Sequence, residues 1–508
     1  MKSISEPKLT HARTQPGCLW PAAALNLLLV FVLSSAAGAQ QAGHHRGGNP
    51  MRSAGMSMRE GSSMPDTGMP ESASTAAPAG IRVPVLPGPP MTREDLEKEA
   101  IRRNPTLAMA TAMIEAAEGR RLQAGLYPNP SFGYNSESAT PATRGGEQGF
   151  IIQQTIVTAN KLGLNRDIAT SQKHQSEAEA ETQRYRVMNA VDVAYYDALA
   201  ARRTVEVRAE LARLAEQAVD ITYRLKNVGQ SDAPDLLQAQ AESSVQQIAL
   251  AESIHDERRV WRQLAAVVGD PDLGPHRLAG DFDNPPRLDP ETTLASILES
   301  SPEVRTAELG VERAKAALAR ARVEPIPDIN FIGGMRVNFE RPEPGASIIG
   351  PAALAEITAT VPIFDRNQGN IAAARAEINH AHNELARVKL ELRDRFALVY
   401  ASYETAMEAV ENYRTAIIPE AREAYRLYFH RFQQMAAAYP QVLIAQRTMS
   451  QAEESYVVSL RAAWEAVVQL RGMLVTGGLN APQVPASGEI PAAAPPSATI
   501  ITRTSPGG

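Results

Sequence analysis

Two copies of one long-helix pattern, laid end to end, constrain this chain more than any single motif in it. Asn104-Pro105 returns as Ser301-Pro302, and Pro128-Asn129-Pro130 as Pro325-Ile326-Pro327, each about 197 residues later. Farther along the offset becomes about 206: Gly163 pairs with Gly369, Pro234 with Pro440, Leu237 with Leu443, Ala239-Gln240 with Ala445-Gln446, and Gln263-Leu264 with Gln469-Leu470. One insertion separates the two registers. Self-similarity at a fixed offset marks a repeated supersecondary unit.

The ends read differently. Lys2, Lys8 and Arg13 precede an apolar run at 25–33 and the small-x-small Ala37-Gly38-Ala39, so residues 1–39 have the form of a secretory signal peptide. No other stretch approaches roughly 18 apolar residues, and no transmembrane helix is expected. The single cysteine, Cys18, would leave with the peptide, which predicts a mature chain without thiol or disulfide, and its place ahead of the apolar run does not suit a lipid-modified N-terminus. Residues 40–90 form a leader rich in Gly, Ser, Pro, Ala and Met, and 477–508 a Pro/Ala-rich tail; both compositions lack the apolar residues of a core and read as disordered. The fold is expected in two repeats, 91–281 and 282–476, with a Pro-rich join at 281–290. A net charge of −6 with dispersed Lys and Arg gives no electrostatic footprint for nucleic acid.

Each repeat opens with a helical segment, 92–126 and 291–323, ended by the Pro-x-Pro pairs, because proline cannot donate into a helix and restrains its predecessor. Period two follows. Ile329, Phe331, Met335, Val337 and Phe339 alternate with Asn330, Gly334, Arg336 and Asn338, and Ala355, Ile357, Ala359 and Val361 with Glu356, Thr358 and Thr360. In the first repeat Phe132 and Tyr134 precede a turn at Gly145-Gly146, and Phe150, Ile152 and Ile156 follow it. This predicts two hairpins with strands of about ten residues, a length that spans a bilayer when tilted; one polar and one apolar face suit a water-filled barrel and equally a half-buried soluble hairpin. Four strands cannot close a barrel alone, so the membrane reading requires several copies, and three would supply twelve.

Residues 164–228 contain neither Gly nor Pro and are dense in Ala, Glu, Gln, Arg and Leu, which predicts one helix of about 100 Å. The second repeat has its equivalent at 371–439, with an apolar stripe at Leu385, Val388, Leu392, Phe396, Val399 and Tyr403 and an expected kink at Pro419. Helices this long call for side-by-side packing. Each reverses at a short break, 229–234 or 436–440, and returns over 235–268 or 441–475.

Signal peptide, helix, hairpin, very long helix, sharp turn and returning helix, all duplicated, resemble the TolC-like family of outer-membrane efflux channels. Two motifs carry the resemblance: the helical-hairpin turn Tyr223-x5-Gly229-x-Ser231-x3-Asp235-Leu236-Leu237-x-Ala239-Gln240, and Val361-Pro362-Ile363-Phe364-Asp365-Arg366-Asn367-Gln368-Gly369-Asn370 at the strand-to-helix junction. The resemblance implies a mainly α chain with a small β part, in which duplicated helical hairpins form a trimeric α-barrel and two β-hairpins per chain contribute to a 12-stranded membrane barrel. It also implies a passive, non-enzymatic conduit in the outer membrane of a Gram-negative bacterium, in contact with outer-membrane lipid and with a periplasmic extension. The implied partners are a periplasmic membrane-fusion adaptor and an inner-membrane pump of the resistance-nodulation-division class.

Tip turns containing Tyr223, Gly229, Ser231, Asp232, Asp235, Leu236, Leu237 and Gln240 in one repeat, and Tyr439, Pro440, Val442 and Leu443 in the other, would meet the adaptor. Pro362, Phe364, Asp365, Gln368 and Gly369 form the junction. Gly229 can take positive φ, and Ser231 or Asp232 can cap the returning helix. The second repeat has no glycine matching Gly229, and Gln441 and Ile444 stand where some family members carry tip-narrowing aspartates, a role that Asp232 and Asp235 could take over.

The leader bears on cargo. His44, His45, Met51, Met56, Met58, Met64 and Met69 lie amid Gly, Ser and Pro, and five of the fifteen methionines fall between Met51 and Met69. Thioether and imidazole ligands suit Cu(I) or Ag(I) in an oxidising compartment. The expectation is the heavy-metal (CusC/CzcC-like) branch, with transient Cu(I) or Ag(I) binding by the leader and no required cofactor; drug efflux and type I secretion are the alternative cargoes. His380 and His382 lie on different sides of a helix, and neither they nor His174, His255 and His430 are assigned a role. No phosphate-binding Gly loop, His-Glu-x-x-His helix, Gly-x-Ser-x-Gly elbow or cysteine nucleophile argues for an enzyme. A soluble periplasmic coiled-coil adaptor or scaffold would share the long helices but has no need of two amphipathic hairpins.

Overall fold

A computed structural model describes residues 83–136, 146–339, 341, 343 and 345–483, all within the second of the chain's two compact units, 76–508. The expected signal peptide, the candidate ligands His44, His45, Met51, Met56, Met58, Met64 and Met69, and most of the tail lie outside the described residues. The first repeat supplies α1 (Arg93–Arg103), α2 (Pro105–Ala124), β1 (Ser131–Ser136), β2 (Glu147–Ile156), α3 (Lys161–Asn227) and α4 (Ala233–Val268). The second supplies α5 (Pro290–Ser300), α6 (Pro302–Val323), β3 (Ile329–Asn338), β4 (Gly350–Ala359), α7 (Gln368–Asn412), a π-helical turn (Tyr413–Ile417), α8 (Ile418–Gln433) and α9 (Tyr439–Arg471).

The opening segment of each repeat is two helices rather than the one continuous helix expected. Asn104 and Ser301 have extended ψ of 120° and 127°, as residues preceding proline must, and each ends one helix and begins the next. Asn104 caps α2 by accepting from the Thr106 amide at 2.9 Å. Thr92 and Asp95 form a reciprocal capping box at the start of α1.

All four strands join one antiparallel sheet in the order β1-β2-β3-β4. The two hairpins meet where β2 pairs with β3, from Glu147 opposite Asn338 to Ile156 opposite Ile329. As described, β1 has six residues instead of about ten, and it begins only after Pro128 and Pro130, neither of which has an N–H to give to a ladder.

The long helix of the first repeat spans 67 residues and pairs with α4. In the second repeat, Leu392, Phe396 and Tyr403 of the expected stripe are buried, and Leu385, Val388 and Val399 pack against them. The interruption near Pro419 takes the form of the π turn just before it. The Ile418 amide donates to the Tyr413 carbonyl, five residues back. Pro419 has no N–H for the next bond, and the wider turn accommodates that loss.

Helix α9 lies in the largest apolar cluster, with Tyr439, Val442, Leu460 and Leu470 at 1 % exposure or less. Trp464 stacks on Tyr196 of α3 at 4.0 Å and donates its indole N–H to the Phe282 carbonyl at 2.8 Å. The join between repeats is held by Tyr403, whose hydroxyl donates to Pro286 O at 2.9 Å and accepts from Leu288 N at 2.8 Å. Among the described residues no helix is long and apolar enough to cross a membrane.

Candidate functional site

The sheet sorts its side chains by chemistry. Paired residues share a face, which places Phe132, Tyr134, Phe150, Ile152, Ile156, Phe331, Met335 and Ile357 together, all exposed. Phe150 stacks on Phe132 at 5.6 Å and meets Tyr134 edge-on at 5.5 Å. The opposite face carries Ser131, Asn135, Glu147, Gln153, Thr155, Asn330, Arg336, Asn338, Glu356 and Thr358, interspersed with Ile151, Ile332 and Leu354. Glu147 pairs with Arg336 and accepts from Asn338 at 3.1 Å, while Thr155 donates to Asn330 at 2.7 Å. A contiguous apolar face of this size is costly in water.

At the strand-to-helix junction, Asp365 accepts from the Asn367 amide at 2.9 Å and Gln368 from the Arg366 amide at 2.8 Å. Asn367, at φ +60°, donates through its side chain to Ala321 O at 2.8 Å and so ties the junction to α6. Phe364 is 91 % exposed, and Val361 and Ile363 beside it are also exposed. Pro362 lies between them, half-buried. A Cβ on Gly369 would meet nothing within 4 Å, whereas one on Gly163 would collide with Asn160. The paired glycines therefore do different work. In the first repeat the corresponding corner is held by Lys161, 4 % exposed, on Asp328 at 3.1 Å.

The two tip turns share one backbone. Gly229, at φ +75°, donates to Lys226 O at 3.0 Å, and Gln230 to Leu225 O at 2.9 Å. In the second turn Met435, at φ +62°, donates to Phe432 O at 2.9 Å, and Ala436 to Arg431 O at 2.8 Å. The missing glycine of the second repeat is thus replaced by a methionine in the same left-handed conformation. The expected cap does not form. Asp232 is the N-cap residue of α4 without a side-chain cap bond, and the Ser231 hydroxyl instead donates to Asp235 at 3.3 Å. Pro234 removes one of the amides such a cap would serve.

Tyr223, Gly229, Asp232, Leu237 and Gln240 are exposed, Ser231 and Asp235 half-buried, and Leu236 buried. In the second turn Tyr439, Val442 and Leu443 turn inward, so its outer surface is Met435, Pro440, Gln441 and Ile444. Phe432 packs against Tyr439 at 5.7 Å. Burial, with the Glu242 carboxylate nearby, pushes the Tyr439 hydroxyl up to about 12. Glu242, 5 % exposed, joins the two hairpins through Arg447 at 2.7 Å and accepts from Gln246 at 2.9 Å. Nothing in the sequence marks this link, since Glu242 and Arg447 each look like ordinary surface charge on a helix.

Among the described residues no group of three or more His, Cys, Asp or Glu could hold a metal ion. One half-buried acidic group stands out: Asp192 on α3 accepts from Arg93 at 3.4 Å, and loss of water around its carboxyl raises it well above the carboxylate range, with Arg93 opposing and Glu97 reinforcing the shift.

This chain is 24 % identical over 395 residues to the cobalt-zinc-cadmium resistance protein CzcC of Cupriavidus metallidurans, covering 77 % of this chain and 92 % of the relative. It is 27 % identical over 302 residues to the nickel-cobalt-cadmium resistance protein NccC of Alcaligenes xylosoxydans xylosoxydans, covering 58 % and 66 %. The fold is that of solved outer-membrane proteins. VceC of Vibrio cholerae superposes with a TM-score of 0.61 at 18 % identity, over 76 % of this chain and 96 % of its own. CusC gives 0.61 at 17 % identity, over 76 % and 92 %. Residues 96–270 and 293–476 both match one family description, outer membrane efflux protein. With that match over most of its length and the fold of TolC-like channels, the chain belongs to the outer membrane efflux protein family, whose members are non-enzymatic transport channels in the outer membrane of Gram-negative bacteria.

Proposed function

We propose that three copies of the chain close their sheets into one twelve-stranded barrel, and their long helices into a tunnel, conducting heavy-metal cations outward in a tripartite system. The observation that carries this reading is the two-faced sheet, whose outer strands β1 and β4 pair with no further strand among the described residues. Its exposed aromatic and aliphatic face fits hydrocarbon, and its polar face fits a water-filled lumen. A sheet with free edges gains hydrogen bonds by pairing with further copies. The exposed collar of Val361, Ile363 and Phe364 would lie near the membrane interface, where aromatic side chains are favoured. The tip turns are the docking surface for a periplasmic adaptor, which links the channel to an inner-membrane pump of the resistance-nodulation-division class; Tyr223, Gly229, Asp232, Leu237, Gln240, Met435, Pro440 and Ile444 offer the exposed contacts.

Two considerations support a metal cargo: the cobalt, zinc, cadmium and nickel in the names of CzcC and NccC, and the Met/His leader, whose soft ligands favour Cu(I) or Ag(I). A deletion strain grown on copper, silver, zinc, cobalt, cadmium, nickel and several antibiotics tests the cargo. Sensitivity to one or more metals is expected, and sensitivity confined to antibiotics overturns it. Leader capture is tested by titrating Cu(I) into the full chain and into a variant with Met51, Met56, Met58, Met64 and Met69 all changed to Leu. Equal affinity of the two chains would remove the leader from the account.

A further inference from the structure

Strands β1 to β4 carry three charged residues, Glu147, Arg336 and Glu356. Two of them neutralise each other, since Arg336 pairs with Glu147 across the β2–β3 seam. Glu356 lies on the same polar face, opposite Ile332 of β3, with Gln153 of β2 beyond and Leu354 and Thr358 on either side along β4. Arg336 pairs with Ala352, four residues farther along β4, and its charge is already committed. Toward the helices, Lys161 is committed to Asp328 at 3.1 Å, Arg366 of the junction is exposed, and among the described residues no cation pairs with Glu356. The side chain of Glu356 is half-buried on the polar face, whereas Ile357 beside it points the other way and is 72 % exposed.

We propose that Glu356 is a specificity-determining residue: an uncompensated carboxylate on the lumenal wall of the barrel that biases conduction toward cations. The inference rests on the trimeric channel reading, in which three copies place three such carboxylates at one level of the wall. Rings of acidic side chains select cations in this way by raising their local concentration. The field of a wall charge reaches roughly 10 Å into solution at 0.1 M salt and roughly 3 Å at 1 M. Ion preference from Glu356 is therefore strong in dilute salt and absent in concentrated salt, unlike selection by a narrow constriction.

The test is the zero-current potential of the full chain reconstituted in planar bilayers under a KCl gradient. Glu356→Gln should lower the potassium-to-chloride permeability ratio roughly twofold near 0.1 M and leave it unchanged near 1 M. Glu356→Cys, treated in the assembled channel with a negatively charged thiol reagent, should regain the wild-type ratio, and a positively charged reagent should push it below that of Glu356→Gln. Asp232 and Asp235 are present in every variant, so the differences read position 356 alone. A conducting wild type whose preference is the same in Glu356→Gln, or a cysteine variant that responds equally to both reagents, overturns the inference alone. A wild-type chain that inserts without conducting overturns the channel reading and the inference with it.

Discussion

Met435 holds at the second tip turn the left-handed conformation that Gly229 holds at the first, at φ +62° and +75°. A side chain in this region costs roughly 1 kcal/mol that glycine avoids. Met435→Gly should raise the thermal midpoint slightly, because relief of that cost outweighs the greater freedom of glycine in the unfolded chain. Gly229→Ala should lower it by a comparable amount. A fall in the midpoint on Met435→Gly would show that the exposed methionine side chain makes a stabilising contact in the assembled protein.

Asp192 makes stability depend on pH. Burial raises its carboxyl well above the usual carboxylate range, Arg93 draws it back, and a hydrogen bond and the charge of Glu97 add to the rise, while its Oδ1 is buried with no hydrogen-bond partner among the described residues. The folded state therefore holds a proton that the unfolded state releases near pH 4, and stability falls as pH rises from about 4 until the raised carboxyl ionises in the folded chain. Asp192→Asn should flatten that part of the profile and be the more stable chain at about pH 9. Parallel profiles for the two chains would remove Asp192 as the source.

Gln446 is 1 % exposed, and neither atom of its amide has a partner among the described residues. Burying an amide unpaired is unfavourable, so Gln446→Leu should stabilise the chain by about 1 kcal/mol. Its repeat equivalent Gln240 is exposed, and Gln240→Leu should leave stability unchanged. Destabilisation by Gln446→Leu would point to a hydrogen-bond partner from another copy of the chain.

At the tip, Asp232 and Asp235 are the carboxylates of the first turn, and the second turn has Gln441 and Ile444 facing outward. Asp232→Ala combined with Asp235→Ala should reduce the cation preference of the reconstituted channel at every salt concentration, as a narrow constriction would. An unchanged zero-current potential removes these two residues from ion selection.

Much of this architecture was legible because it rests on local rules. Period-two alternation placed Phe331 and Ile357 on one face of the sheet and Asn330 and Glu356 on the other, and the Gly- and Pro-free run over 164–228 became one helix. The misreadings have equally local causes. Asn104-Pro105 and Ser301-Pro302 mark the repeat, and the same prolines divide each opening segment into two helices. The inward turn of Tyr439, Val442 and Leu443 was not legible, because a helix shows its apolar face in sequence without showing what covers it. The Glu242–Arg447 link spans two repeats, and no spacing rule joins residues so far apart.

The seam between β2 and β3 has a consequence for how the chain is made. It closes a loop of about 180 residues, and the entropy of that closure must be spent before any of its hydrogen bonds form. The helical hairpin of the first repeat can fold while the rest of the chain is still emerging, but the sheet cannot, since half of it belongs to the second repeat. Its exposed apolar face gains nothing from forming early in water. On the proposed trimeric reading, barrel closure and entry into the lipid become a single late event, and a cell must keep the hairpins from pairing with the wrong strands until then.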